Sequence, residues 1–498
     1  MLFSSWSFVL LFLPLFLLFW QISARLGARL LPLFLTGVSL LFYSFWGWPF
    51  LLLLLLVASL NWGLGVGLAR LCRGASGRVR KAFLACAIFL NLLPLLWFKY
   101  SWFLIANLAP VFGLSVEFAP PGLPLGISFY TFIQIAWLCD IWRHEARPEG
   151  YLRHILFCGC FFYVMSGPIT RQAEVGRQFD GLLAITPRGL ARGLALFIIG
   201  LAKKILLADS LAIYADAVFG AASHGWPLTT PEAWLGSFCY SLQLYFDFSG
   251  YTDMALGLGL MVGLELPQNF NSPYKATGIV EFWRRWHITL GSWLRDYLYI
   301  PLGGNRKGKA RQYLNLFATM LLGGAWHGAG WTYILWGAMH GAMLCGNHFF
   351  RAAVRGRPFE KRLLCRPVRV FFILFTFFCL NFCWVAFRAP SLDCALAIWG
   401  PMFNPVFSAD YWPLNALSPW DRWVGEWLCN GYFDIFGLGL LAAGFLLVWG
   451  FPNSGEILAG QSALGFRPNR VWATGAACAL FVCLFFMGRE SAFLYFRF

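Results

Sequence analysis

Long stretches of this chain are apolar almost without interruption: residues 10–20, 50–60, 82–98, 368–380, 436–449 and 471–487. A helix needs about 20 mostly apolar residues to span the hydrocarbon core. Several of these runs reach that length with their flanks. A transmembrane β-barrel would instead show short segments of alternating polarity. Charge content points the same way. Only 12% of the 498 residues are charged, against about 25% in an average globular domain, too few to cover a soluble protein of this size. The expected fold is therefore an all-α polytopic integral membrane protein with roughly ten to twelve spans. The run 2–20 lacks a basic n-region and is long for a signal-peptide core, so it is expected to be an uncleaved first span.

Net charge is +16. The basic residues fall in short loops between apolar runs, the footprint of the positive-inside rule, not of a nucleic-acid surface. Arg25 and Arg29 follow the first run. A "GWP" turn at 47–49 leads to the next, and Arg70, Arg73, Arg78, Arg80 and Lys81 come after it. Both basic loops are expected in the cytoplasm, with the turn and the N-terminus outside. The later basic stretches 143–153, 171–192, 306–311 and 351–369 are assigned to the same side. The 14 cysteines include no CxxC pair. They are expected to be reduced thiols packed as small hydrophobes, with no metal site. No internal repeat or soluble domain is visible, so residues 1–498 are expected to form one membrane domain, with 265–311 as its large functional loop.

Polar residues then stand out against this background. The stretch "AWLGSFCYSLQLYFDFSGYTDMALGLGLMVG" (233–263) is apolar enough to span a membrane, yet Tyr240, Gln243, Asp247 and Tyr251 recur in it at helical spacing. Such a stripe should face the bundle interior, either as an interhelical hydrogen-bond ladder or as the lining of a site. Glycines at 250, 257, 259 and 263 allow close helix approach.

In "VEFWRRWHITLGSWLRDYLYIPLGGNRKG" (280–308), helical spacing puts Trp283, Trp286, His287, Leu290, Leu294 and Tyr297 on one face. Glu281, Arg284, Arg285, Ser292 and Arg295 fall on the other. An aromatic face opposite an arginine face is expected of a helix lying in the membrane interface. His287 then points inward, as a packed core residue or as a catalyst.

"YLNLFATMLLGGAWHGAGWTYILWGAMHG" (313–341) follows a basic run. From Tyr313 to His327 a straight helix climbs roughly 20 Å, deep into a core about 30 Å thick. An ionisable group at that depth is a functional-site candidate. The glycines at 323, 324, 328 and 330 leave room for a ligand or let the helix break around a cavity. A buried neutral imidazole can act as general base toward a hydroxyl. The structural alternative is a bond to a neighbouring carbonyl. His340, in "WGAMHG", leaves both possibilities open.

These segments together resemble the membrane-bound O-acyltransferase family, and within it the bacterial alginate O-acetyltransferase branch. The carrying blocks are "PLGISFYTFIQIAWLCDIWR" (124–143), "LYFDFSGYTDMALGLGLMVG" (244–263), "NFNSPYKATGIVEFWRRWHITLGSWLRDYLYIPLGGNRKG" (269–308) and "NLFATMLLGGAWHGAGWTYILWGAMHG" (315–341). They define a motif-bearing core of about 115–350. The last third matches only in hydropathy.

The resemblance implies about eleven or twelve transmembrane helices, with re-entrant and interfacial helices, around a central tunnel. It puts the family's essential histidine at His327 and a second one at His287, with Trp283, Arg285, Trp286, Asp247, Tyr251, Asn305 and Trp326 expected along the tunnel. It further implies acetyl transfer from a cytoplasmic thioester, with acetyl-CoA as donor co-substrate and no bound cofactor. The acceptor would be an exported polysaccharide such as alginate or cellulose. The setting would be the bacterial inner membrane, with a periplasmic acetyltransferase- or esterase-like protein and a polysaccharide synthesis and export complex as partners. D-alanyl transfer to teichoic acid is the alternative within the family. A transporter or flippase, using the polar stripe and His327 as a proton relay, is the alternative outside it; the missing internal repeat speaks against it.

Overall fold

The computed structural model describes residues 1–116, 118–357, 365–406, 435–488 and 494, and is all-helical, with no β-strand among them. A π-helical turn, Ser7–Phe12, leads into α1 (Leu13–Leu26), α2 (Leu30–Ser44), α3 (Trp48–Gly74), α4 (Gly77–Leu95) and α5 (Ser101–Leu108). Then come α6 (Ile127–Trp142), α7 (Tyr151–Gly159), α8 (Gln172–Val175), α9 (Pro187–Ala202), α10 (Asp209–Ser223) and α11 (Thr230–Met261). The short α12 (Ile279–Trp283) and α13 (Ile288–Leu294) precede α14 (Gly308–His327) and α15 (Trp331–Val354). The described chain closes with α16 (Arg366–Arg388), α17 (Leu392–Phe403), α18 (Ile435–Gly450), α19 (Ser454–Leu458) and α20 (Arg470–Phe486).

Each apolar run read from the sequence lies, to within one residue, in one of these helices or in a π-helical turn that continues one. Among the described residues, four helical stretches are long and apolar enough to cross a membrane: Ser7–Leu26, Trp48–Gly74, Gly77–Phe112 and Arg366–Arg388. Leu30–Ser44, Ile127–Trp142, Leu392–Phe403, Ile435–Gly450 and Arg470–Phe486 are apolar but shorter. Pro94 inside α4 and the π-helical Leu96–Tyr100 interrupt the third stretch, as a residue without an amide hydrogen must. Part of the basic stretch 351–369, residues 358–364, lies outside the described residues.

The chain divides into two compact units. Unit one comprises Met1–Leu201, Tyr251–Gln268 and Phe466–Met487; unit two comprises Ala202–Gly250, Asn269–Gly465 and Gly488–Phe498. Both are assembled from three separate segments, with α11 running from unit two into unit one.

In unit one, α3 and α4 are joined by a reciprocal amide pair: Asn61 Nδ2 donates to Asn91 Oδ1 (2.8 Å) and Asn91 Nδ2 to Asn61 Oδ1 (2.7 Å). Both side chains are buried. Lipid offers hydrocarbon no reason to leave it, so polar pairs and small-residue contacts hold such helices together. The glycine expectation is met at Gly257: a Cβ there would lie 2.7 Å from the Gly193 carbonyl oxygen of α9 and 2.8 Å from the Phe197 amide.

In unit two, Ser241 Oγ of α11 donates to Asn381 Oδ1 of α16 (2.7 Å), and Asn381 Nδ2 donates to Ser237 Oγ (2.9 Å). Tyr240, Gln243 and Asp247 of the polar stripe are buried here, and Tyr251 is buried in unit one.

Candidate active site

α14 and α15 form a hairpin in which two glycines face each other. A Cβ on Gly324 would lie 2.3 Å from the Tyr333 carbonyl oxygen, and one on Gly337 would lie 2.5 Å from that of Met320. No side chain fits in that crossing. α14 runs without a break to His327, its last residue, and ends where Gly328 turns extended. The depth expected from helical rise therefore rests on a continuous helix.

Around the His327 ring the contacts are aromatic: Trp326 at 4.9 Å, Trp336 edge-on at 5.1 Å and Phe387 at 5.2 Å between ring centroids. His327 is only 5% exposed. Trp336 also lies 4.5 Å from the ring of His340, one helical turn on. His340 is fully buried. Its Nδ1 accepts from Trp283 Nε1 at 3.3 Å. An indole nitrogen only donates, so this contact leaves the His340 proton on Nε2. No described residue accepts from that nitrogen, and it offers a buried donor to a carbonyl oxygen.

His287 is held differently. The expected interfacial helix over 280–308 does not exist as one element: α12 stops at Trp283, α13 begins at Ile288, and His287 between them adopts left-handed backbone at φ +43°. The preceding loop supplies the reason. The Ile288 amide donates to the Asn269 carbonyl (3.0 Å) instead of to its own helix, and the Asn271 amide takes the Arg285 carbonyl (2.9 Å). Asn269 Oδ1 accepts from both the Thr289 amide (3.3 Å) and its hydroxyl (2.9 Å). That oxygen also faces His287 Nδ1 at 3.1 Å, so Nδ1 donates and Nε2 is left with the lone pair that a base requires. His287 lies outside the membrane-spanning helices and is fully buried. Burial lowers its pKa to about 3, which keeps the ring neutral at pH 7. Trp286, beside it, reaches the His327 cluster by ring contact with Trp384 (5.1 Å), itself 5.9 Å from Trp336.

The remaining residues singled out by sequence fall in several places. Arg285 is engaged with Glu281 through Nε (3.1 Å) and Nη2 (2.8 Å) and with the Asn271 carbonyl through Nη1 (3.2 Å), so it braces the loop. Asn305 is exposed in the turn before α14, where the buried amide is Asn315, bonded to the Gly304 carbonyl at 2.9 Å. Asp247 meets Lys204 Nζ at 2.7 Å, and Lys204 also meets Asp209 at 2.7 Å. A backbone amide, that of Leu494, donates to Asp247 Oδ2 at 3.0 Å. Tyr251 stacks on Phe3 at 5.0 Å within unit one.

Sequence inspection passed over Lys204 and Asp209, although a Lys-Lys pair inside "FIIGLAKKILLADSL" (197–211) was a signal. A buried ion pair needs its partners nearby, and the π-helical stretch Lys203–Ala208 leads directly into Asp209. Trp384 and Phe387 carried no signal, because aromatic residues in a span normally face lipid or core.

Comparison with known proteins now bears on this cluster. Residues 143–387 match the model of the membrane-bound O-acyltransferase family, reaching past the last sequence motif to include Trp384 and Phe387. The probable alginate O-acetylase AlgI of Pseudomonas aeruginosa is 40% identical, over 84% of this chain and 77% of the relative. The chain belongs to the membrane-bound O-acyltransferase family. It is an O-acyltransferase and a multi-pass membrane protein. The peptidoglycan O-acetyltransferase of Helicobacter pylori is 38% identical, over 80% of this chain and 79% of that protein. Similarity to the teichoic acid D-alanyltransferase of Bacillus subtilis is lower, at 29% over 45% of this chain and 59% of the relative.

Proposed function

We propose that this enzyme, with about eleven or twelve membrane helices in the bacterial inner membrane, passes an acetyl group from cytoplasmic acetyl-CoA across the membrane for O-acetylation of an exported polysaccharide. The observation that carries the chemistry is His327, buried at the end of α14 among Trp326, Trp336 and Phe387. An imidazole shielded from water accepts the proton of an acceptor hydroxyl as its oxygen attacks the thioester carbonyl. The C–S bond breaks, and the departing thiolate recovers the proton from the imidazolium. His340 Nε2–H can hold a carbonyl oxygen, and His287 stands as the second histidine, its Nδ1 held by Asn269. The acceptor is a hydroxyl on the polysaccharide or on a periplasmic acetyltransferase- or esterase-like partner, working with the synthesis and export complex.

Acetyl is favoured over D-alanyl because relatives named for O-acetylation match at 38–40% over at least 80% of the chain. An alginate-like polymer is the first acceptor. Peptidoglycan is the second, because its named relative matches almost as well. Membranes holding this enzyme and its acceptors, supplied with radiolabelled acetyl-CoA, test the proposal. Label should enter an extracytoplasmic glycan, and the glycan that carries it names the acceptor. Incorporation of D-alanine from a carrier protein, with no acetyl label, would overturn it.

A further inference from the structure

A cavity of about 830 Å³ in unit two shares no residue with the histidine cluster. It lies between the last turns of α15, the first turns of α16 and the start of α12. Arg351, Arg355 and Arg369 line it, and no described carboxylate forms an ion pair with any of them. Guanidinium groups gathered at one cavity, with no carboxylate partner among the described residues, complement an anion, and their fork geometry suits phosphate. Asn347 also lines it; its Oδ1 is buried with no hydrogen-bond partner among the described residues. That oxygen wants a hydroxyl or amine donor. Much of the remaining wall is phenylalanine. Phe371 and Phe375 belong to it and are 60% and 54% exposed. On a membrane-spanning helix, exposed rings face lipid.

One occupant satisfies all three chemistries: a phosphate anion, a hydroxyl donor and hydrocarbon chains. We propose that this groove binds an acidic glycerophospholipid, with its phosphate on Arg351, Arg355 and Arg369, a headgroup hydroxyl on Asn347 Oδ1, and its chains along Phe371 and Phe375. Basic pockets at the cytoplasmic ends of membrane helices suit acidic headgroups, and this one lies at the arginine-rich ends of α15 and α16. A lipid there braces α15, the helix that carries Trp336 and His340.

Native mass spectrometry of the purified full chain, given equal phosphatidylglycerol and phosphatidylcholine, tests the site. Wild type should retain phosphatidylglycerol and shed phosphatidylcholine. R351Q/R355Q/R369Q should lose that retention by about tenfold or more, since each basic residue near an anionic lipid contributes appreciably. G346W provides an independent arm. Gly346 lines the cavity, and a Cβ there meets nothing within 4 Å, so the indole fills the groove and leaves the arginines in place. It should lose the lipid equally, and it decides alone if the triple variant does not fold. Undiminished retention in G346W, or in a folded triple variant, overturns the proposal. So does displacement of the lipid by inorganic phosphate or coenzyme A, which would make the cavity a site for phosphate groups without chains.

Discussion

His327 ends a helix of 20 residues that is unbroken up to it, whereas His287 sits where two short helices have parted. The first ring is positioned from a distance: the Gly324–Gly337 crossing fixes α14 against α15, and the imidazole goes where the helix end takes it. The second is positioned locally, by Asn269 and a left-handed backbone. One histidine is therefore sensitive to packing elsewhere in its hairpin and indifferent to its own backbone. The other should show the reverse.

The largest effect is expected from His327→Ala. Removing a general base costs about 10²–10⁴ in rate, while the hairpin, whose crossing does not involve the ring, should still form. Acetyl transfer in membranes with matched protein amounts measures this; more than about a tenth of wild-type activity would dismiss His327 as the base. Next comes Gly324→Ala, which touches no aromatic ring of the site. Its Cβ must push the helices apart, and a misplacement near 1 Å can cost about 10²-fold. Transfer rate should fall sharply with His327 intact. An unaffected rate would mean that the crossing does not position the ring.

Backbone variants at His287 probe the other half of the contrast. His287→Val forces a β-branched residue into the left-handed region and should be less stable than His287→Gly by about 1–3 kcal/mol, read as thermal unfolding in detergent. Equal stability would deny the left-handed junction. The same residue has a pH signature. Its ring stays neutral in the fold down to a pKa of about 3, against an ordinary 6.5. The unfolded chain therefore binds a proton that the fold refuses, and stability falls as pH drops from 6.5 toward 3. His287→Asn should make that slope shallower; an identical slope would place the titration elsewhere. The smallest effect is expected from Arg285→Lys. The Arg285–Glu281 pair is partly exposed, at 29% and 27%, and such pairs contribute about 1 kcal/mol or less. A large loss of transfer in this variant would instead give Arg285 a direct role at the donor.

What could be read from the sequence follows the same divide. Apolar runs found their helices, and the unbroken helix that ends at His327 was legible because one regular apolar stretch runs up to it. The helical wheel failed at 280–308, because backbone bonds from Asn269 and Asn271 to residues 285–288 outcompete the helix, and no local spacing reveals a partner elsewhere in the chain. His340 was visible as a residue but not as a neighbour of Trp283, 57 positions away. Trp384 and Phe387 needed the fold itself, since nothing distinguishes a site-lining ring from a lipid-facing one along a single helix.

Asp247 carries a consequence in time. Its ionic partner Lys204, which also pairs with Asp209, is made before it. The amide that donates to its other oxygen belongs to Leu494, 247 residues later. During synthesis that contact cannot close until the 247 residues after Asp247 have been made. A chain that stops short of Leu494 leaves the buried carboxylate without this donor.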